Sequence, residues 1–131
     1  MFSMADVMSG KVVQQPDKTL VAFGEEFGEV LDPLAFLNEK DPELCAAFLR
    51  LHEPTLNESA FSKKLKFLVH AAITACQHDR EAAVMHISGA LHAGASERES
   101  LEMAFTIIPV AGMPAFAVFL GAWQPARQVG K

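Results

Sequence analysis

Residues 62–94, SKKLKFLVHAAITACQHDREAAVMHISGALHAG, decide the fold. They read as two helices joined by a polar elbow, Gln77-His78-Asp79. In the first helix Leu65, Leu68, Val69, Ala72, Ile73 and Cys76 recur at helical spacing. In the second, Ala83, His86, Ile87, Ala90 and Leu91 keep the same rhythm up to Gly94, a residue suited to a helix C-terminal cap. His86 therefore lies on the stripe that should face the core. An imidazole there is either a satisfied structural group or a catalytic one.

Downstream of this pair, Ser96 and Glu99 have capping-box spacing, and Leu101, Ala104, Phe105 and Ile108 continue a helix to Pro109. Gly112-Met113-Pro114 turns the chain, Ala115 to Trp123 forms a short apolar last helix, and residues 124–131 are a polar tail. Upstream, Asp41-Pro42 is a strong helix start, a capping side chain followed by proline at the first helical position. Leu44, Ala47, Phe48 and Leu51 supply that helix's expected buried face, and Pro54 is expected to stop it before a polar loop, Thr55 to Ala60. A further helix is expected from its cap Asp17, with Leu20, Phe23, Gly24, Phe27, Val30 and Leu31 on one face, until Pro33 ends it or begins the next turn. Residues 1–16 show no sustained periodicity and read as a loose arm. With no alternating strand pattern, the expectation is an all-α bundle of about six helices in a single domain, residues 1–131.

Composition narrows the function classes. Half of the 131 residues are hydrophobic and 21% are charged, below the usual quarter or so. One small core cannot hide that much apolar surface, so the excess is expected to form a subunit interface in a homo-oligomer. A net charge of −5 without a long basic stripe argues against nucleic acid as a partner. Two cysteines, Cys45 and Cys76, are too few for a disulfide framework. The uncharged run from Met103 to Trp123 is long enough to span a bilayer, but Pro109, Gly112 and Pro114 interrupt it where a lipid-exposed helix would leave backbone groups unpaired. No charged leader with a long apolar core opens the chain. A cytoplasmic chain outside the membrane is expected.

Several polar residues carry two readings each. Lys63, Lys64 and Lys66 crowd a helix start, either as a solvated face paired with Glu58 or as an anion site. His78, Asp79, Arg80 and Glu81 form a charged knot at the elbow. Asp79 suits a helix cap and Glu81 a first-turn carboxylate, or the group lines a pocket mouth with Asp79 or Glu81 orienting an imidazole. His70 lies mid-helix beside the apolar stripe, as a packed, interface or pocket residue; His52 and His92 read as surface residues. His70, His78 and His86 lack the close i, i+4 pairing of a strong metal motif, so neither a metal nor another cofactor is expected.

The span Lys63–Trp123, roughly half the chain, resembles the carboxymuconolactone decarboxylase and alkylhydroperoxidase D-like family. The resemblance rests on the lysine-rich helix start, the helix-elbow-helix, and His86-Ile87-Ser88-Gly89-Ala90-Leu91-His92-Ala93-Gly94-Ala95-Ser96. After a Glu-rich helix comes Ala111-Gly112-Met113-Pro114-Ala115, similar to the family's ala-gly-x-pro-ala turn. It implies an all-helical subunit in a trimer or hexamer. The family's peroxidase branch has an early Glu, then Cys-x-x-Cys, then the His. Counted back from His86, those positions are Phe67, Asp79 and Ala82, so the thiol pair is absent.

The decarboxylase branch lacks the cysteines and keeps the His. The resemblance therefore implies His86 as the acid/base on a small carboxylated, lactone-type substrate, with a pKa near neutral for a general-acid step. Arg80 or the Lys63/Lys64/Lys66 group would hold the carboxylates, with His78, His70 and Phe67 as further substrate-side positions. Two alternatives stand beside it: peroxidase-type antioxidant chemistry through Cys76, three residues before the first family Cys position, and a non-catalytic oligomer that binds a small apolar ligand or a protein.

Overall fold

A computed structural model describes Leu20, Gly24, Glu25 and residues 32–129. Among the described residues five helices are bounded, in order α1 Asp32–Lys40, α2 Pro42–Leu56, α3 Lys63–Cys76, α4 Arg80–His92 and α5 Glu97–Ala126. Among the described residues there is no strand, and the all-α expectation holds. Leu20, Gly24 and Glu25 are helical, while the arm 1–16 and most of the helix expected from Asp17 lie outside the described residues.

The helix starts follow the local chemistry. Asp41 Oδ1 accepts from the Leu44 amide at 3.0 Å, Ser62 Oγ from Leu65 at 3.1 Å, and Asp79 Oδ1 from Ala82 at 3.0 Å. Each side chain satisfies an amide that the first helical turn leaves without an intrahelical partner. The Ser96–Glu99 capping box closes in both directions, at 3.0 and 3.1 Å. Pro33 sits inside the first turn of α1, so it begins a helix.

Two prolines fail to stop their helices. Pro54 lies in the last turn of α2, which runs on to Leu56, and the Asn57 amide donates to the Glu53 carbonyl at 3.0 Å. A proline this near the end removes only one intrahelical bond, and burial of Leu56 compensates. Pro109 is solvent-exposed beside Val110, where water can satisfy the freed carbonyl, and the helix continues past it. The break comes instead at Gly112, whose φ of 79° belongs to the left-handed region that glycine enters readily. Beyond it the helix ends at Ala126 rather than Trp123; Ala126 is buried.

α3, α4 and the two arms of α5 pack around an alanine-rich core: Ala71, Ala75, Ala83, Ile87, Ala104, Ile107, Ala115, Phe119 and Ala122. Small side chains let the helix axes approach closely. The α1–α2 hairpin closes a second core, where Leu34, Cys45, Leu49 and Leu56 meet Phe67, Leu68, Ala90 and Ala95.

The buried faces of α2 and α3 differ from the expected ones. α2 buries Cys45, Leu49 and Leu56, whereas Leu44, Phe48 and Leu51 are exposed, Leu51 at 74%. α3 buries Phe67, Leu68, Ala71 and Ala75 and leaves Leu65, Val69 and Ile73 outside. Both helices are apolar on two sides, so periodicity alone could not choose between them. α5 is long and apolar enough to cross a membrane by length and composition, with Gly112 breaking it midway.

Candidate functional site

His86 is held between α3 and the hairpin because Ala83, Ile87 and Ala90 on the same face of α4 are fully buried. Its ring meets His70 of α3 edge-on, with centroids 5.2 Å apart and planes at 72°. His70 Nδ1 is buried without a hydrogen-bond partner among the described residues. His52 of α2 lies near enough for its charge to be felt at His86, and for the charge of His70 to be felt at His52. Its Nδ1 faces Thr55 Oγ1 at 3.5 Å, and its ring packs edge-on against Phe48.

This surrounding decides protonation. Burial pushes the His86 pKa down, His70 and His52 push it further, and Asp79 only partly opposes them, leaving it at about 4. His70 and His52 are lowered by burial first, with Lys66 adding to the effect at His70 and His70 to that at His52. At neutral pH His86 is an uncharged imidazole, so the expected near-neutral pKa is corrected downward. His52, read from the sequence as a surface residue, is half-buried. Its signal was its register: residues 45, 49, 52 and 56 form one helical stripe, three of them buried.

The elbow residues act first as structure. Asp79 caps α4, and Glu81 is exposed in its first turn. Arg80 Nη2 donates to the Gly121 carbonyl at 3.1 Å, tying the start of α4 to the second arm of α5. His78 is exposed at φ 58°, making the turn. Of the four, only Asp79 has its charge felt at His86.

The lysines also find partners within the chain. Lys64 pairs with Glu99 at 2.8 Å, and Lys66 Nζ donates to the Asn57 carbonyl at 2.6 Å and to Ser59 Oγ at 2.9 Å. Lys66 is the lysine whose charge reaches His70.

Phe67 is not a lining residue. It is fully buried, with its ring against Gly89 of α4, so the expectation of substrate contact there is corrected to a core role. Cys76 is half-buried at the end of α3, at the edge of the alanine-rich core. Cys45 is fully buried in the other core, its Sγ 3.8 Å from the Leu34 carbonyl. Neither thiol is in a disulfide and the two lie in separate clusters, so Cys45 is not placed to resolve Cys76. Among the described residues no three His, Cys, Asp or Glu side chains converge for a metal ion.

A cleft of about 360 Å³, unanticipated from the sequence, opens where α4 ends and both ends of α5 meet, lined by His92, Glu97, Trp123 and Arg127 among others. Arg127 stacks over Trp123 at 4.6 Å. His92 Nδ1 lies 2.8 Å from the Ser88 carbonyl, which fixes that nitrogen as the donor. His86 does not line this cleft.

Similarity to known proteins agrees with this architecture. The chain resembles in structure a protein carrying the carboxymuconolactone decarboxylase name from Burkholderia xenovorans LB400, with a TM-score of 0.73 and 25% identity over 85% of this chain and 87% of that one. It also resembles a carboxymuconolactone decarboxylase family protein from Legionella pneumophila, with a TM-score of 0.70 and 21% identity over 84% and 98% of the two chains. No curated protein matches it. The carboxymuconolactone decarboxylase family model matches residues 42–125, well over half the chain and spanning α2 to α5, and the chain belongs to that family.

Proposed function

We propose that this protein catalyses decarboxylation or proton transfer on a small, lactone-type carboxylate, with His86 moving the proton. The observation that carries this reading is the desolvated His70–His86 imidazole pair between α3 and α4. When carbon dioxide leaves an unsaturated lactone acid, the electron pair of the broken C–C bond enters an extended enolate. That enolate must then take a proton at carbon. The empty site holds almost no imidazolium at neutral pH, since His86 titrates at about 4. A bound carboxylate supplies the negative charge that favours the charged imidazole, so the site takes up a proton from water as the substrate binds. Lys66, whose charge already reaches His70, is the cation placed to hold that carboxylate.

The test is turnover of 4-carboxymuconolactone, followed by ultraviolet absorbance, for wild type and His86→Ala side by side. General acid/base groups contribute roughly 10²- to 10⁴-fold, so the variant should lose activity by at least about a hundredfold at unchanged fold. Equal turnover in both proteins sinks the assignment. A second reading, a non-catalytic small-ligand binder, is favoured by one observation: the Trp123–Arg127 cleft lies apart from His86. Saturable ligand binding lost in Trp123→Ala, with no turnover in wild type, would favour that reading.

The same proposal includes assembly as a trimer or hexamer in the cytoplasm. The outward stripes Leu44, Phe48, Leu51 on α2 and Leu65, Val69, Ile73 on α3 support it, as do Phe105, Val110 and Met113 on α5. Apolar patches of this extent are uncommon on monomers. Sedimentation without detergent should give three or six chains per particle, falling in Leu51→Asp; a monomeric or detergent-dependent wild type would contradict it.

A further inference from the structure

We propose that His70 and His86 work as one imidazole pair in which the first proton resists the second, with His70 the positioning residue that sets when His86 becomes charged. This rests on the proton-transfer reading above and adds a regulator to it. The two rings touch edge-on at 5.2 Å, so two unit charges would face one another at close range in a partly buried site. Protons then come on in two steps that belong to the pair and not to either ring.

The other charges around the pair reinforce this. His52 on α2 and Lys66 on α3 both oppose a proton there, while Asp79 at the elbow favours one. The charges of α5 are engaged elsewhere: Glu99 with Lys64, Arg98 with Glu102, and Glu97 and Arg127 at the distant cleft. A substrate carboxylate therefore meets a site in which one proton can be accommodated and a second is resisted.

His70 comes from α3, one turn beyond Phe67, whose ring is committed to the core against Gly89. It is the ring in edge contact with His86, and its replacement leaves the buried face of α3 intact, since that face is Phe67, Leu68, Ala71 and Ala75. The side chain is only partly buried, so glutamine at this position keeps a polar group where the imidazole was.

The experiment follows the histidine ring carbons by NMR as the pH is lowered, in wild type, His70→Gln and His52→Gln. In wild type the His70 and His86 signals should move in two separated steps. In His70→Gln the His86 signal should move in one step, at a pH higher by about half a unit or more, since a like charge has been removed. The alkaline limb of kcat, where His86 loses the proton it must donate, should shift the same way with 4-carboxymuconolactone while KM changes little. An unchanged His86 midpoint in His70→Gln overturns the pairing. Should His70→Gln fail to give the wild-type circular dichroism, His52→Gln decides. His86 must then still titrate in two steps with His70, at a slightly higher pH, and independent single-step titration of both rings overturns the proposal. Because the titration needs no turnover, an inactive wild type defeats the proton-transfer reading while leaving the pairing to the NMR result.

Discussion

Replacing Gly89 by alanine should lower the melting temperature by about 5–10 °C, the reverse of what helix propensity predicts. Gly89 is mid-helix in α4, where alanine would ordinarily add about 1 kcal/mol of stability. Here a Cβ would stand 2.7 Å from Phe67 Cε1 and 2.8 Å from Cδ1, closer than carbon atoms approach without displacement. Phe67 cannot swing away, because its side chain is fully buried among the residues joining the hairpin to α3 and α4. With Phe67 unable to move, overpacking costs the upper end of its range, about 3 kcal/mol, which leaves a net loss of roughly 2 kcal/mol after the propensity gain. For a chain of this size that corresponds to several degrees. The control is the pair Gly89→Ala with Phe67→Leu: the smaller side chain makes room for the methyl group, so the double variant should be more stable than the sum of the single changes. Melting followed by circular dichroism reads both. A Gly89→Ala protein as stable as wild type would mean that the helices separate freely, and the close α3–α4 packing would lose its support.

That contact also shows what was legible in the sequence. The small-residue stretch of α4 was visible, and its buried face was read correctly because Ala83, Ile87 and Ala90 have no competing apolar stripe. The caps at Asp41, Asp79 and Ser96 were legible for a local reason: each side chain bonds an amide only three residues on. α2 and α3 were misread by rotation, not by existence. Leu44, Phe48 and Leu51 make as good a stripe as Cys45, Leu49 and Leu56, and only the position of the other helices selects one. The error hid His52, which shares the buried register.

The candidate site was legible in part. His86 could be placed on an inward face from spacing, but its protonation could not, since desolvation depends on what α2 and α3 lay over it. The elbow charges drew attention because they cluster in sequence. In space Arg80 is spent on the Gly121 carbonyl, 41 residues away, a pairing that no local pattern announces. The cleft at Trp123 likewise joins the end of α4 to both ends of α5 and leaves no contiguous trace.

Acid should begin to destabilise this protein well above the pH at which carboxylates are protonated. The imidazoles of His52, His70 and His86 all have native pKa values below the ordinary 6.5, His86 at about 4. A group whose native pKa is depressed binds protons more readily in the unfolded chain. Its contribution is thus present above pH 6.5 and is lost as pH falls through 6.5 towards the native value. For His86 alone, each pH unit across that window costs at most about 1.4 kcal/mol, so going from pH 6.5 to 5 removes up to roughly 2 kcal/mol. His52 and His70 act in the same direction from a smaller degree of burial. Carboxylates do not confuse this window: Glu99, held below its usual value first by its hydrogen bond to Lys64, loses its contribution only below about pH 4.5. Urea midpoints at pH 7.5, 6.5, 5.5 and 5 should therefore fall steadily at constant slope against denaturant. In His86→Gln the fall should be markedly shallower, because glutamine takes no proton. A wild-type midpoint that stays level from pH 6.5 to 5 would place His86 in water rather than between α3 and α4, and with it would go the low-charge site on which the proton-transfer chemistry depends.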